Sequence, residues 1–182
     1  MGTNYATEEL REMAKIKRKK GKRTPWNKGR QVGQRAGLSL SEVTRVKKML
    51  TKRGDAGLRD RALFMTAIDT KLRSHELLGL TVKVVRKRNR EMRDAFELTT
   101  ARRGYGVQCE LSKMTMRILE KWINESGKKA NDYLFTGRFG GGLTPLTVRQ
   151  FRRLVKAWIE GIGLDASAYG TESLRKTGAS YR

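Results

Sequence analysis

The sequence contains few of the residues that build disulfide, metal and redox chemistry. Among its 182 residues there is one cysteine, Cys109, and one histidine, His75. A single cysteine excludes an internal disulfide and suits a reducing cytoplasm. One residue of each kind is also too few for a zinc site. We therefore expect no metal, no cofactor and a cytoplasmic location. Cys109 alternates with Val107 and Leu111, which is typical of an apolar strand residue.

Long apolar runs and acidic residues are scarce as well. No run approaches the roughly 18 apolar residues of a membrane-spanning helix, and no signal peptide is visible. The chain has 41 Lys and Arg against 18 Asp and Glu, a formal net charge of +23. Such a charge opposes compaction unless a polyanion neutralises it. We expect nucleic acid as the partner, since each neutralised phosphate releases a counterion; a membrane surface is the weaker alternative.

The first 37 residues differ from the rest. They hold eleven Lys and Arg against three Glu, and the stretch 15–23 cannot bury an apolar face. This composition predicts a basic arm over residues 1–37 that orders on a phosphate backbone; the alternative is a solvated tail. Trp26 favours the arm, because an indole in a polar segment usually packs in a pocket or stacks on a base. The arm residues expected to bind DNA are Lys17, Arg18, Lys19, Lys20, Lys22, Arg23, Lys28 and Arg30.

Residues 38–182 have the patterns of a folded domain. A capping box at 39–42 opens a helix, and apolar residues at helical spacing predict further helices. These helices are expected from about 58, over 72–80, after 112, from 144 to about 161, and from about 171. Stretches 81–86 and 93–100 are β-like, and 107–111 alternates as a strand does. The expected domain is mainly α-helical with a small three-stranded antiparallel sheet.

Two arginines about a hundred positions apart could form a phosphate clamp. Arg73 and Arg175 each follow a leucine inside a helical, half-apolar stretch. A guanidinium group is planar and always charged, and its forked donors fit phosphate oxygens two at a time. If the fold brings the two residues together, they can bind one phosphate.

The segments around these arginines resemble the two arginine boxes of the tyrosine recombinases, or phage-type integrases. Residues 61–78 resemble the box with the first catalytic arginine, and residues 169–177 resemble the second. Residues 25–30 resemble the arm of compact integrases. The resemblance covers nearly the whole chain, with a hairpin and helices between the boxes. It implies the family's catalytic-domain fold over residues 38–182, double-stranded DNA as partner, and DNA integration and recombination by strand breakage and rejoining.

The resemblance also implies roles for single residues. In the family, two arginines grip the scissile phosphate while a tyrosine attacks phosphorus, and a hairpin lysine and a histidine assist. By this resemblance Arg73 and Arg175 form the clamp, and Arg102 occupies the lysine position. Arginine keeps a phosphate contact, but its pKa above about 12 makes it a poor proton donor. The alternative is that Arg102 and Arg103 form a basic hairpin tip that contacts the DNA backbone.

Glu172 stands at the family's histidine position and departs from the family pattern. At about 4 Å and an effective dielectric near 20, a carboxylate repels a phosphodiester by roughly 4 kcal/mol. A repulsion of that size could slow cleavage or weaken binding at the scissile phosphate by roughly a thousandfold. Either Glu172 pairs with Arg73 or Arg175 and holds the site closed without DNA, or it is a surface residue near a helix N-terminus. His75 is interpreted as an ordinary packed or solvated histidine.

The family's nucleophilic tyrosine lies well beyond the second arginine. The printed sequence ends seven residues after Arg175, and Tyr181 is the only tyrosine in between; we interpret it as a packing residue. We therefore expect a domain that is incomplete at its C-terminus and inactive as given. Apolar surface around Trp158 and Leu174 should then be partly bare, which predicts self-association through the C-terminal region.

Two other functions compete with this one. The first is a non-catalytic DNA-binding regulator on the same fold, which the sequence does not separate from an integrase. The second is an RNA-binding basic protein, which the 7% aromatic content without a stacking motif disfavours. The expected setting is the bacterial nucleoid, or a phage or other mobile element.

Overall fold

The computed structural model describes residues 35–99, 104–137 and 143–180. The helices are α1 (Leu40–Lys52), α2 (Asp55–Thr70), α3 (Ser74–Leu78), α4 (Val82–Val85), α5 (Lys113–Glu125), α6 (Val148–Gly161) and α7 (Thr171–Ser180). The strands are β1 (Ala95–Thr99) and β2 (Gly106–Glu110). The described part is therefore mainly helical, as the patterns predicted.

Side-chain caps begin several of these helices. The capping box before α1 is confirmed: Ser39 accepts from the backbone N–H of Glu42, and Glu42 accepts from that of Ser39 at 2.7 Å. Such a box satisfies two donors that the first turn leaves unpaired. The helix predicted from residue 144 begins instead at Val148, because Thr147 caps it and Pro145 pairs with Thr136 in an isolated bridge.

The sheet has two antiparallel strands in the described residues, with Ala95 opposite Glu110 and Thr99 opposite Gly106. Cys109 lies in β2 and is buried, as the alternation predicted. The third strand predicted over 81–86 is not confirmed. Most of that stretch is the single turn α4, flanked by isolated bridges at its two ends.

Hydrogen bonds to a later loop explain the missing strand. The backbone N–H groups of Val82 and Lys83 donate to the carbonyls of Asp132 and Ala130, and that of Arg86 closes a turn onto Val82. The valines of this stretch have high strand propensity, but strand propensity yields readily to tertiary contacts. The loop contacts decide the local conformation here.

The core forms around α2, which packs against α1, α5 and α7. Phe64 meets Trp158 edge to face with ring centroids 5.6 Å apart, and the Trp158 indole donates to the buried carboxylate of Asp60. Trp158 and Leu174 are each 1% exposed, so the expectation of bare apolar surface around them is wrong. One reason is Gly178: a β-carbon there would collide with the carbonyl of Ile68, so only glycine lets α7 approach α2 this closely.

Within the described residues, no helix is both long enough and apolar enough to cross a membrane.

Candidate functional site

A sharp turn after α2 positions Arg73. The turn depends on Lys71, which ends the helix with φ of +54° in the left-handed region. That conformation costs a residue with a side chain about 1–2 kcal/mol. Two residues on, the backbone N–H of Arg73 donates to the buried carboxylate of Glu76 at 2.8 Å, which caps α3. The backbone of Arg73 is thus fixed while its side chain is exposed.

Arg175 lies on α7 and reaches back to the same turn. Its Nε donates to the carbonyl oxygen of Lys71 at 2.9 Å, across 104 positions of sequence. Its guanidinium group also pairs with Glu172 on the same helix, with 2.7 Å between Nη1 and Oε1. The second arginine box is therefore bonded directly to the turn that precedes Arg73.

A cleft of about 680 Å³ lies beside this junction and is named here the Arg73 cleft. It is lined by Arg35, Arg73, Ser74, His75, Val148, Arg152, Lys156, Tyr169, Gly170, Thr171 and Glu172. Four of these residues are Lys or Arg, and Glu172 is the one carboxylate among the lining residues. The four cations come from the segment before α1, from the N-cap of α3 and from α6, so the fold gathers positive charge from distant parts of the chain.

Arg175 lines a neighbouring pocket of about 250 Å³, together with residues of the turn after α2 and of β2. Glu172 connects the two pockets, because it lines the Arg73 cleft and also pairs with Arg175. Both interpretations of Glu172 fit the structure, because it pairs with Arg175 and is also an exposed residue in the first turn of α7. That both guanidinium groups bind one anion stays a prediction.

Arg35 holds one wall of the cleft. Its guanidinium group donates to the carbonyls of Ser167 and Tyr169, at 2.7 and 2.5 Å. The hydroxyl of Tyr169 donates in turn to Glu42 on α1 at 3.4 Å. Burial, and secondly the charge of Glu42, raise the pKa of Tyr169 above its ordinary value. The segment that leads into the second arginine box is thereby tied to the start of the domain.

Sequence reasoning missed Arg35, Arg152 and Lys156 as cleft residues. A signal existed for Arg152 and Lys156, which lie four positions apart on α6 and are exposed on the side away from the buried Phe151 and Val155. No comparable signal marked Arg35, which was assigned to the arm. His75 is exposed and lines the cleft, so it is solvated as interpreted and lies beside Arg73, as its position two residues later in the sequence suggests.

Other predicted residues lie outside the described residues. These are Arg102 and Arg103 of the hairpin, Trp26, Tyr181, and all the arm residues expected to bind DNA, Lys17, Arg18, Lys19, Lys20, Lys22, Arg23, Lys28 and Arg30. Their roles stay predictions. Over the described ranges, no group of three or more His, Cys, Asp or Glu side chains could hold a metal ion.

Several solved structures share this fold. The site-specific recombinase XerH, in a pre-cleavage complex with its difH substrate, matches 80% of this chain with a TM-score of 0.63 and 21% identity. The XerA recombinase matches 82% with a TM-score of 0.64 and 17% identity. The Tn1549 transposon integrase, in complex with circular intermediate DNA, matches 82% with a TM-score of 0.56 and 19% identity. The chain spans only 42%, 50% and 53% of these structures, respectively.

Sequence comparison adds a second finding. The model of the phage integrase family matches residues 37–181. Among curated proteins there is no significant match.

Proposed function

The chain belongs to the phage integrase family, and on that premise we propose that it binds duplex DNA with a backbone phosphate in the Arg73 cleft. The observation that carries this proposal is the lining of the cleft, which brings together Arg35 from before α1, Arg73 from the start of α3, and Arg152 and Lys156 from α6. Four cations against one carboxylate attract a phosphodiester, and arginine can bind its oxygens in pairs. The solved XerH and Tn1549 complexes with DNA support the same partner.

Within this proposal, Arg73 and Arg175 act differently. The side chain of Arg73 is exposed and lines the cleft, so it can meet a phosphate as the fold stands. Arg175 is engaged by Glu172 at 2.7 Å. A phosphate oxygen must therefore compete with this carboxylate for Arg175, and DNA binding is opposed until Glu172 moves or is neutralised. The Glu172–Arg175 pair is in this sense a closed state of the site.

We further propose that the polypeptide of these 182 residues does not cleave DNA by itself. Cleavage in the family forms a bond between a tyrosine oxygen and phosphorus and breaks the bond to the 5′-oxygen, which then takes a proton. Tyr181 is only six positions after Arg175 in the sequence, whereas the family's nucleophilic tyrosine lies well beyond the second arginine. Arg102 keeps its proton, and Glu172 brings negative charge to the cleft.

Binding of a fluorescent duplex, followed by anisotropy, tests the first proposal. Arg152→Ala should weaken binding about tenfold, because it removes one phosphate contact of the cleft. Arg153→Ala is the matched control: it removes the same charge from the next position of α6, which is exposed and does not line the cleft. Equal losses for the two variants would show that the cleft is not the binding site.

Nicked suicide substrates test the second proposal. We expect no covalent protein–DNA adduct on a denaturing gel. An adduct mapped to Tyr181 would establish catalysis by this polypeptide and overturn the proposal. The alternative function, a non-catalytic DNA-binding regulator, is favoured by the Glu172–Arg175 pair and is supported by specific binding without any adduct.

Two smaller proposals concern the setting. We propose a cytoplasmic location on the bacterial nucleoid or on a phage or other mobile element, in line with the likeness to a transposon integrase. Self-association through the C-terminal region stays a prediction, although the burial of Trp158 and Leu174 removes the reason first given for it. Light scattering over a concentration series tests it.

A further inference from the structure

A second basic pocket, of about 500 Å³, lies between the end of α5 and the segment that follows α4. Its lining includes seven Lys and Arg side chains, from residues 83–90 and from Lys128 and Lys129. None of the described residues that line it is Asp or Glu, and it shares no lining residue with the Arg73 cleft. It is named here the Lys128 pocket.

A hydrogen-bonded turn presents the arginines of this pocket. The backbone N–H of Lys87 donates to the backbone carbonyl of Glu91 at 2.8 Å. The backbone N–H of Arg90 donates to the backbone carbonyl of Lys87 at 3.1 Å. Arg90 takes a left-handed φ of +69°, and the Nε of Arg86 bonds to its carbonyl at 2.9 Å. Because Arg86 also forms an isolated β-bridge with Met92 across the turn, the backbone fixes where each of these side chains begins.

The opposite wall holds a cation in place. The Nζ of Lys128 donates to the hydroxyl of Thr136 at 2.9 Å and lies 5.8 Å from the centre of the Trp122 ring. The indole N–H of Trp122 is itself bonded to the carbonyl of Leu134. Burial lowers the pKa of Lys128, and the charge of Asp132 partly opposes this. A partly desolvated cation gains more from an anion than a fully hydrated one does.

Nearby carboxylates neutralise little of this charge. Glu91 pairs with Lys87 at 3.2 Å, and its own exposure weakens that pair. Asp132 accepts the backbone N–H of Lys129 at 2.7 Å. Most of the seven cations therefore remain for a ligand. Because they are spread over two segments and most are exposed, they match a row of phosphates better than a single small anion.

We propose that the Lys128 pocket is a second phosphate-binding site and that it takes the backbone of a DNA duplex. The proposal rests on the proposed function, since it assumes that the chain binds duplex DNA. Duplex DNA carries one charge per about 1.7 Å of its axis, so one backbone can engage several of these side chains together. With two separate phosphate sites, the domain contacts DNA outside its arginine boxes.

The test compares two double variants with the same loss of charge. Arg88→Gln with Lys129→Gln removes two exposed cations from the pocket, and Lys48→Gln with Arg53→Gln removes two exposed cations from the region of α1. Anisotropy with a 30-base-pair duplex is measured over a salt series, and thermal melting checks that each variant folds. Losing two phosphate contacts should lower the slope of log affinity against log salt by about 1.8 and the affinity by roughly tenfold. The control should change both by clearly less.

Equal losses in the two double variants would overturn the proposal while leaving DNA binding intact. A free phosphate ligand is distinguished with inorganic pyrophosphate. One outcome is that pyrophosphate raises the melting temperature of the wild type but not of the pocket variant, while both proteins bind the duplex equally well. In that case the pocket binds small phosphates, and its assignment to DNA is wrong. If the wild type itself does not bind duplex DNA, both the proposed function and the pocket proposal are wrong. If the wild type binds and only the comparison of variants fails, the pocket proposal alone is wrong.

Discussion

The two arginine boxes each contain a glutamate three residues from the arginine, and the two glutamates do opposite things. Glu76 is 5% exposed and accepts the backbone N–H of Arg73, which leaves the Arg73 guanidinium group to the cleft. The side chain of Glu172 is 56% exposed and forms an ion pair with the guanidinium group of Arg175. The first glutamate fixes the backbone at Arg73, and the second pairs with the side chain of Arg175. The same residue type at the same spacing therefore has a role that depends on which group it contacts.

The largest effect expected from this contrast is on stability. Glu76→Ala leaves the backbone N–H of Arg73 without its buried acceptor, so the free energy of unfolding should fall by about 2 kcal/mol, measured by urea denaturation. Glu76→Gln keeps an oxygen acceptor in the same place and should lose clearly less. If the alanine variant is as stable as the wild type, Glu76 does not organise the turn.

The second effect is on DNA affinity. Glu172→Gln removes the negative charge from the Arg73 cleft and replaces the ion pair with Arg175 by a weaker bond to a neutral amide, so duplex affinity should rise about three- to tenfold in an anisotropy titration. Stability should change by less than about 1 kcal/mol, because the side chain of Glu172 is 56% exposed. The control Glu160→Gln makes the same change of charge at an exposed position of α6 outside the cleft. A gain as large for Glu160→Gln would mean that net charge, not the pair, opposes binding.

The smallest effect concerns the turn that both boxes share. Lys71 holds a left-handed φ of +54°, and glycine adopts that conformation without steric cost. Lys71→Gly should therefore raise the free energy of unfolding by about 0.5–1 kcal/mol, observed as a higher melting temperature. Lys52→Gly, in the last turn of α1, should instead lower the free energy of unfolding, because glycine inside a helix is unfavourable. A loss of stability for Lys71→Gly would show that its side chain contributes more than the strain costs.

Much of the fold was predictable because its signals are local. The capping box at Ser39 and the apolar stripe of α6, with Phe151 and Trp158, depend on residues within a few turns of one another. The third strand was mispredicted for the opposite reason: Val82 and Val85 favour a strand locally, but the loop around Asp132 forms the hydrogen bonds that shape this stretch.

The candidate site divides in the same way. Arg73, Arg175 and Glu172 could be named as candidates from sequence because each lies in a contiguous box, and their roles stay predictions. Arg35 could not be named from the sequence, because its place in the cleft depends on the carbonyls of Ser167 and Tyr169, more than 130 positions away.

By itself the sequence determined the family, the helical character and the excess of positive charge that calls for a polyanion, since each is a property of composition or of short motifs. Only the tertiary structure decided which groups Arg73 and Arg175 contact. The bond from Arg175 to the carbonyl of Lys71 spans 104 positions and requires α7 to lie directly on α2, which Gly178 permits by lacking a β-carbon. A local pattern records which residues are present, whereas the partner of a buried or charged group is decided by which distant segment packs against it.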